Sequence, residues 1–317
     1  MPATSTSVPG KTILFGEHAV VYGYPAIAVP LDSISLNVKI RAQPNKNGSI
    51  IINDQLEENL LLENLKPDHT YRTAITTILD ELNITRLPAL EIRLSSTIPI
   101  ASGLGSSAAF AVGLVRSLSA FLGFKLTSEK ISEISYKIEV FQHGTPSGID
   151  NTVIAFNEPV FYKKGSPAEF LNIKAPLTLV IADTGIRSTT KDTLIQVRKF
   201  MESHQLISEK IMQNIGEVVE RARIELENGN LNVLGILMNK NHALLKQLGV
   251  SCEELDHLVE VSLNEGALGA KLCGSGRGGN IVALCDDASA ESVKSALLKN
   301  GSTHCFVTIV KASKGVA

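Results

Sequence analysis

Lys11, Ser106, Ser107, Glu139 and Asp150 are the residues of this sequence whose types and setting suit work on phosphate. Three glycine-bearing stretches frame them: Pro9 to Gly23 (PGKTILFGEHAVVYG), Pro99 to Ala109 (PIASGLGSSAA) and Gly269 to Asn280 (GAKLCGSGRGGN). One glycine loop is common. Three in this order, with Lys11, Glu139 and Asp150 among them, indicate phosphoryl transfer.

In Gly103-Leu104-Gly105-Ser106-Ser107, glycines stand before a predicted helix, so backbone N–H groups can approach an anion at the positive end of the helix dipole. The segment is neither a GxxxxGK[ST] loop nor a dinucleotide GxGxxG, because no lysine follows the glycines and a third glycine is missing. Taken alone, a tight turn that lets a helix pack closely explains it equally well. A hydroxyl in the first turn can ligate Mg²⁺ held by nucleotide phosphates, and magnesium normally also takes a carboxylate. Glu139 and Asp150 are the candidates, against the ordinary readings of a solvated helix glutamate and of a turn aspartate that caps the next element.

Lys11 precedes a strand, which would fix its base and leave the ammonium to orient an aspartate and neutralise charge on a transferred phosphoryl group. The plain alternative is an exposed N-terminal lysine. Glu17 and His18 are polar residues inside an apolar run, either a satisfied core histidine with its neighbour or a substrate-binding pair. No lysine or arginine cluster accompanies them along the sequence. The segment from Gly269 to Gly279 reads as too glycine-rich for a strand, hence a loop made for close backbone approach to a ligand or a surface hairpin. Its single Arg277-Gly278-Gly279, without aromatic neighbours, is weak evidence for RNA binding.

The elements that must position these residues follow from patterning. Thr12 to Phe15, Ile34 to Ile40 and Ser49 to Asn53 read as strands, Tyr71 to Leu82 as a helix, and Leu90 to Leu94 as a strand. Ser106 to Leu122 is a predicted helix, and Thr127 or Ser128 caps another that reaches about Gln142. His143 to Asp150 (HGTPSGID) reads as turn-rich, Pro159 to Lys163 and Leu177 to Ala182 as strands, and Thr190 to Asn264 as helix broken at Gly229-Asn230 and Gly249. Strand at Asn280 to Cys285, helix at Ala288 to Lys299 and strand at Cys305 to Val310 close the chain. The class is α+β in two domains, with a boundary near Leu171 to Pro176.

At 317 residues the chain exceeds the usual single core, which supports two domains. Its net charge of −2 supplies no basic field for nucleic acid or anionic lipid, so any phosphate binding must be local. The uncharged run from Leu94 to Val115 is long enough to cross a bilayer, yet its first half is a glycine and serine loop, so a buried helix is expected instead. Four separated cysteines, Cys252, Cys273, Cys285 and Cys305, read as buried thiols, and the N-terminus lacks the order of a signal peptide. A cytoplasmic protein is expected.

Together, PGKTILFGEHAVVYG, PIASGLGSSAAF, HGTPSGIDN and GAKLCGSGRGGN resemble the motifs of the GHMP small-molecule kinases, in order and over almost the whole chain. The resemblance implies the two-domain GHMP kinase fold: an N-terminal domain like ribosomal protein S5 domain 2 over 1–172 and a ferredoxin-like C-terminal domain over 173–317. ATP would lie on Pro99, Ile100, Ala101, Ser102, Gly103, Leu104, Gly105, Ser106, Ser107, Ala108 and Ala109, with Ser107, or Ser106 beside it, and Glu139 binding Mg²⁺. Asp150 would be the base toward the substrate hydroxyl and Lys11 its electrostatic partner, with Glu17, His18 and Thr189 also at the substrate. GEHAVVYG and HGTPSGIDN point within the family to phosphorylation of (R)-mevalonate, and membership of the family would imply a homodimer. Phosphomevalonate, homoserine or sugar kinases, and a regulator that binds nucleotide without turnover, are the alternatives. Ser275 and Arg277 depart from the family's nearly unbroken glycine run.

Overall fold

The computed structural model describes residues 3–43, 50–54, 60–99, 102–144, 146–187 and 190–313. Along the chain run β1 (Ala3–Phe15), β2 (Ala26–Ala42), β3 (Ile50–Asp54), β4 (Leu60–Leu61), α1 (Thr70–Glu81), β5 (Leu90–Ser96), α2 (Ser106–Phe121), α3 (Ser128–His143), α4 (Ile149–Phe156), β6 (Val160–Tyr162) and β7 (Glu169–Phe170). Then come β8 (Leu177–Asp183), α5 (Thr190–Ser203), α6 (Gln205–Asn228), α7 (Leu231–Gln247), α8 (Glu253–Asn264), β9 (Gly269–Cys273), β10 (Asn280–Cys285), α9 (Ala290–Lys299) and β11 (His304–Val310).

Packing divides the chain into two interleaved units, where the sequence suggests one cut. The first comprises Met1–Gly10, Ile34–Pro99 and Gly105–Asn157; the second comprises Lys11–Ser33, Ile100–Leu104 and Glu158–Ala317. β2 serves both, pairing with β5 through Leu36 to Ala42 and with β6 through Ala26 to Ala28.

In the first unit β5 lies antiparallel to β2 and parallel to β3, so Ile40, Ile92 and Ile52 form one buried row across three strands. Alternation puts these side chains on one face, and α2 covers it. Gly113 is the closest point: a Cβ there would stand 3.0 Å from Val38. Thr127 caps α3, its side chain accepting from Lys130 N.

In the second unit four antiparallel strands take the order β11-β8-β10-β9. By sequence rank within this sheet the order is 4-1-3-2, with helices in the first and last connections, the ferredoxin-like arrangement. β8, β9 and β10 are buried along their whole lengths, which explains why they are mostly apolar.

Several expectations are corrected. Gly269 to Cys273 is a strand despite its glycine, because Gly269 lies against α7, where a Cβ would stand 2.1 Å from Gly235 O. The turn-rich HGTPSGID ends in a helix: α4 begins at Ile149, and its N-cap is Gly148, at φ 91°, without a side-chain cap to advertise it. The helical stretch after Thr190 has one further break, at His204. β1 and β2 are longer than their apolar cores. Cys252 is half-buried, unlike the other three thiols. No described helix is long and apolar enough to cross a membrane.

Candidate active site

Within the second unit, Lys11 is buried on β1 and its backbone N–H donates to Leu104 O at 3.0 Å. The plain reading as an exposed lysine therefore fails. Ser102 O accepts from the Asn280 side chain, and Gly103 lies against Gly274, where a Cβ would come within 3.4 Å of the opposing Cα. The first part of the glycine-serine loop is thus seated on the start of the late glycine loop. That late loop, 274–279, is built almost entirely of left-handed backbone, with Gly274, Gly276, Arg277, Gly278 and Gly279 all at positive φ. Glycine is required where the space is smallest: a Cβ on Gly276 would stand 2.0 Å from Val250 O. Arg277 pays its conformational cost at φ 57° while its N–H donates to the same carbonyl at 2.8 Å.

Glu17 and His18 sit in the turn after β1. Gly16, at φ 94°, donates its N–H to Asn241 Oδ1 on α7, a fully buried side chain. The Glu17 carboxylate is buried and paired with Lys271, itself fully buried on β9. Burial pushes the Glu17 carboxyl up, while the charges of Lys271 and then Lys11 pull it down. Two lysines far apart in the sequence thus act on one buried carboxylate. His18 Nε2 lies 3.0 Å from Ser275 O; because a carbonyl only accepts, Nε2 carries the proton. Burial, with help from Lys271, lowers its pKa to about 4.

Asp183, Thr184 and Arg187 lead from β8 into the same region. Thr184 N and Oγ1 both donate to Gly279 O, at 2.9 and 3.0 Å. Arg187 grips the buried Asp183 with both Nη atoms, at 2.8 and 2.9 Å. Ile100, Ala101 and Thr189 lie outside the described residues.

Within the first unit, Gly105 at φ 82° opens α2, so Ser106 and Ser107 occupy its first turn with Ala108 and Ala109 buried behind them. Ser107 Oγ donates to Gln142 Oε1 at 2.8 Å, tying the head of α2 to the end of α3. Glu139 lies one turn earlier on the same face of α3 as Gln142 and is buried, so the solvated-glutamate reading fails. Asp150 is half-buried in the first turn of α4, where the helix dipole favours an anion. The next residue fixes that turn: Asn151 Nδ2 donates to Ser132 O at 3.0 Å and to Ser132 Oγ at 2.9 Å. At the other end of α4, Arg116 on α2 donates to Ala155 O.

The family assignment rests on matches to two profiles, GHMP kinases N terminal domain over residues 69–158 and GHMP kinases C terminal over residues 222–303, and on full-length relatives. A mevalonate kinase of Thermococcus sibiricus is 35% identical over 316 residues, covering 93% of each chain. The chain belongs to the GHMP kinases. This GHMP kinase also superposes on the crystal structure of L. major mevalonate kinase in complex with R-mevalonate, with TM-score 0.84, 30% identity and coverage of 99% and 98%. For the Methanococcus jannaschii mevalonate kinase the TM-score is 0.86, the identity 28% and the coverage 98% of both chains.

Among the described residues of the kinase, no three His, Cys, Asp or Glu side chains form a ready metal cluster. Magnesium carried by a nucleotide needs few protein ligands and takes oxygen donors, a type to which the Ser107 hydroxyl and the Glu139 carboxylate belong. Lys271, Asn241, Asn280 and Gln142 are the polar residues that reading the sequence missed. Only Lys271 left a signal, as the sole charge in an otherwise apolar strand.

Proposed function

We infer that this GHMP kinase transfers the terminal phosphoryl group of ATP to the primary 5-hydroxyl of (R)-mevalonate, giving (R)-5-phosphomevalonate and ADP for isoprenoid synthesis. The observation that carries this reading is the match to mevalonate kinases from end to end, in sequence and in fold. Asp150 accepts the proton of the attacking hydroxyl, and Lys11 neutralises charge that develops as the phosphoryl group moves. The backbone of 102–109 and the dipole of α2 receive the polyphosphate, and His18, Glu17 and Thr189 shape the substrate side. Ser107 and Glu139 would hold magnesium, which would supply positive charge to offset that of the nucleotide's phosphates. Almost all of the catalysis is then alignment and charge compensation, consistent with so many rigidly bonded groups. The enzyme is a cytoplasmic homodimer, and its family domains divide near residue 172.

An ADP-release assay with mevalonate, phosphomevalonate, homoserine and galactose side by side tests the reading. Turnover is expected with mevalonate, and robust turnover with another acceptor but none with mevalonate would overturn it. Asp150→Asn is expected to lower kcat by about 10³-fold while ATP binding persists. Lys11→Ala is expected to lower kcat by about 10²- to 10³-fold, with a smaller change in KM for mevalonate.

A further inference from the structure

Gln142 closes α3 beside the first turn of α2, and neither of its amide ends fits a surface side chain. Its Oε1 receives the Ser107 hydroxyl proton at 2.8 Å, and its Nε2 is buried with no acceptor among the described residues. A hydroxyl that ligates a cation must direct its proton away from the metal, and the group that takes that proton decides where the oxygen lone pairs point. Gln142 is placed to take it. Glu139, the carboxylate of the same proposed metal pair, lies three residues earlier on α3, so one helix face carries both a ligand and the residue that orients the other ligand.

We propose that Gln142 is a positioning residue for the nucleotide-borne metal, holding Ser107 Oγ in the rotamer that offers its lone pairs to magnesium. This rests on the reading of Ser107 as a magnesium ligand in the proposed kinase reaction. The unpaired Nε2 donor supports the assignment independently, because a buried amide N–H without a partner marks a place where an acceptor belongs, and a nucleotide phosphate oxygen is such an acceptor.

The test is a binding measurement that needs no turnover: ADP affinity by calorimetry, with excess magnesium and with chelator, on the full chain. The ratio of the two dissociation constants isolates the metal's contribution. Gln142→Leu is expected to lower that ratio about tenfold, toward the value for Ser107→Ala. The double variant is expected to fall no further than Ser107→Ala alone, and Gln142→Glu, which keeps an oxygen acceptor at similar reach, is expected to retain most of the ratio. An unchanged ratio in Gln142→Leu, or an equal collapse in the Leu and Glu variants, overturns the inference. Failure of the kinase reading looks different: the unaltered protein would then bind ADP with no magnesium dependence, or turn over no mevalonate.

Discussion

At the scale of single residues, the candidate site concentrates groups that ordinary proteins keep apart. His18 is the sharpest case: it is buried, stands at φ 62° without being glycine, and lends Nε2–H to Ser275 O. Its pKa falls from 6.5 to about 4 because burial disfavours the cation, so between those values the unfolded chain holds a proton that the folded chain does not. Stability must therefore rise with pH across that window and fall on acidification from pH 6.5 to 4. One group with that shift contributes about 3 kcal/mol over the full interval. His18→Asn, whose side chain tolerates left-handed backbone, removes this titration. Urea midpoints measured from pH 4 to 7 are expected to vary less steeply in the variant than in the parent, and identical slopes would show that His18 is not buried as the neutral form.

At the scale of elements, α7 is the piece that holds the candidate residues of the second unit in place. β9 is the edge of its sheet, and two of its N–H groups find acceptors on the helix: Ala270 N on Asn239 Oδ1 at 2.8 Å and Leu272 N on His242 Nδ1 at 3.2 Å. A third α7 side chain, Asn241, holds Gly16. The helix thus covers an edge that would otherwise be open to another strand, and it fixes the turn bearing Glu17 in the same stroke. This is possible only because Gly235 and Gly269 let helix and strand meet: a Cβ on Gly235 would stand 2.2 Å from Leu268 O. Alanine is favoured over glycine by about 1 kcal/mol in a helix interior, whereas overpacking costs about 1–3 kcal/mol and more against rigid backbone. The clash wins. Gly235→Ala is expected to lower unfolding free energy by about 2 kcal/mol in urea titrations, and a stabilised variant would show that the contact is looser than described.

At the scale of the whole molecule, the sequence made most of the strands and helices legible, and the glycine turn that opens α2 with them, because periodicity and local turn chemistry are written over short windows; β9 and α4 escaped because their glycines hide the pattern. What stayed hidden is non-local. Lys271 has meaning only with Glu17, 254 residues away, and the residues that serve Gly16, Ser102 and Ser107 are Asn241, Asn280 and Gln142, unremarkable amides in their own segments. The interleaving of the two units has the same origin: the segments Lys11–Ser33 and Ile100–Leu104 pack with a body that otherwise begins at Glu158. A fragment covering 158–317 would therefore keep Lys271 in its apolar strand with no carboxylate beside it. Stranding one partner of a buried pair costs about 3–5 kcal/mol, a large part of the 5–15 kcal/mol that holds a typical domain together. Lys271→Met is then expected to act with opposite signs in two contexts. In the isolated fragment it removes the stranded cation and should sharpen the urea transition. In the full chain it strands Glu17 instead, and stability should drop by about 3 kcal/mol, partly recovered by adding Glu17→Gln. Equal effects in fragment and full chain would mean that the Glu17–Lys271 pair does not knit the N-terminal segment into the second unit.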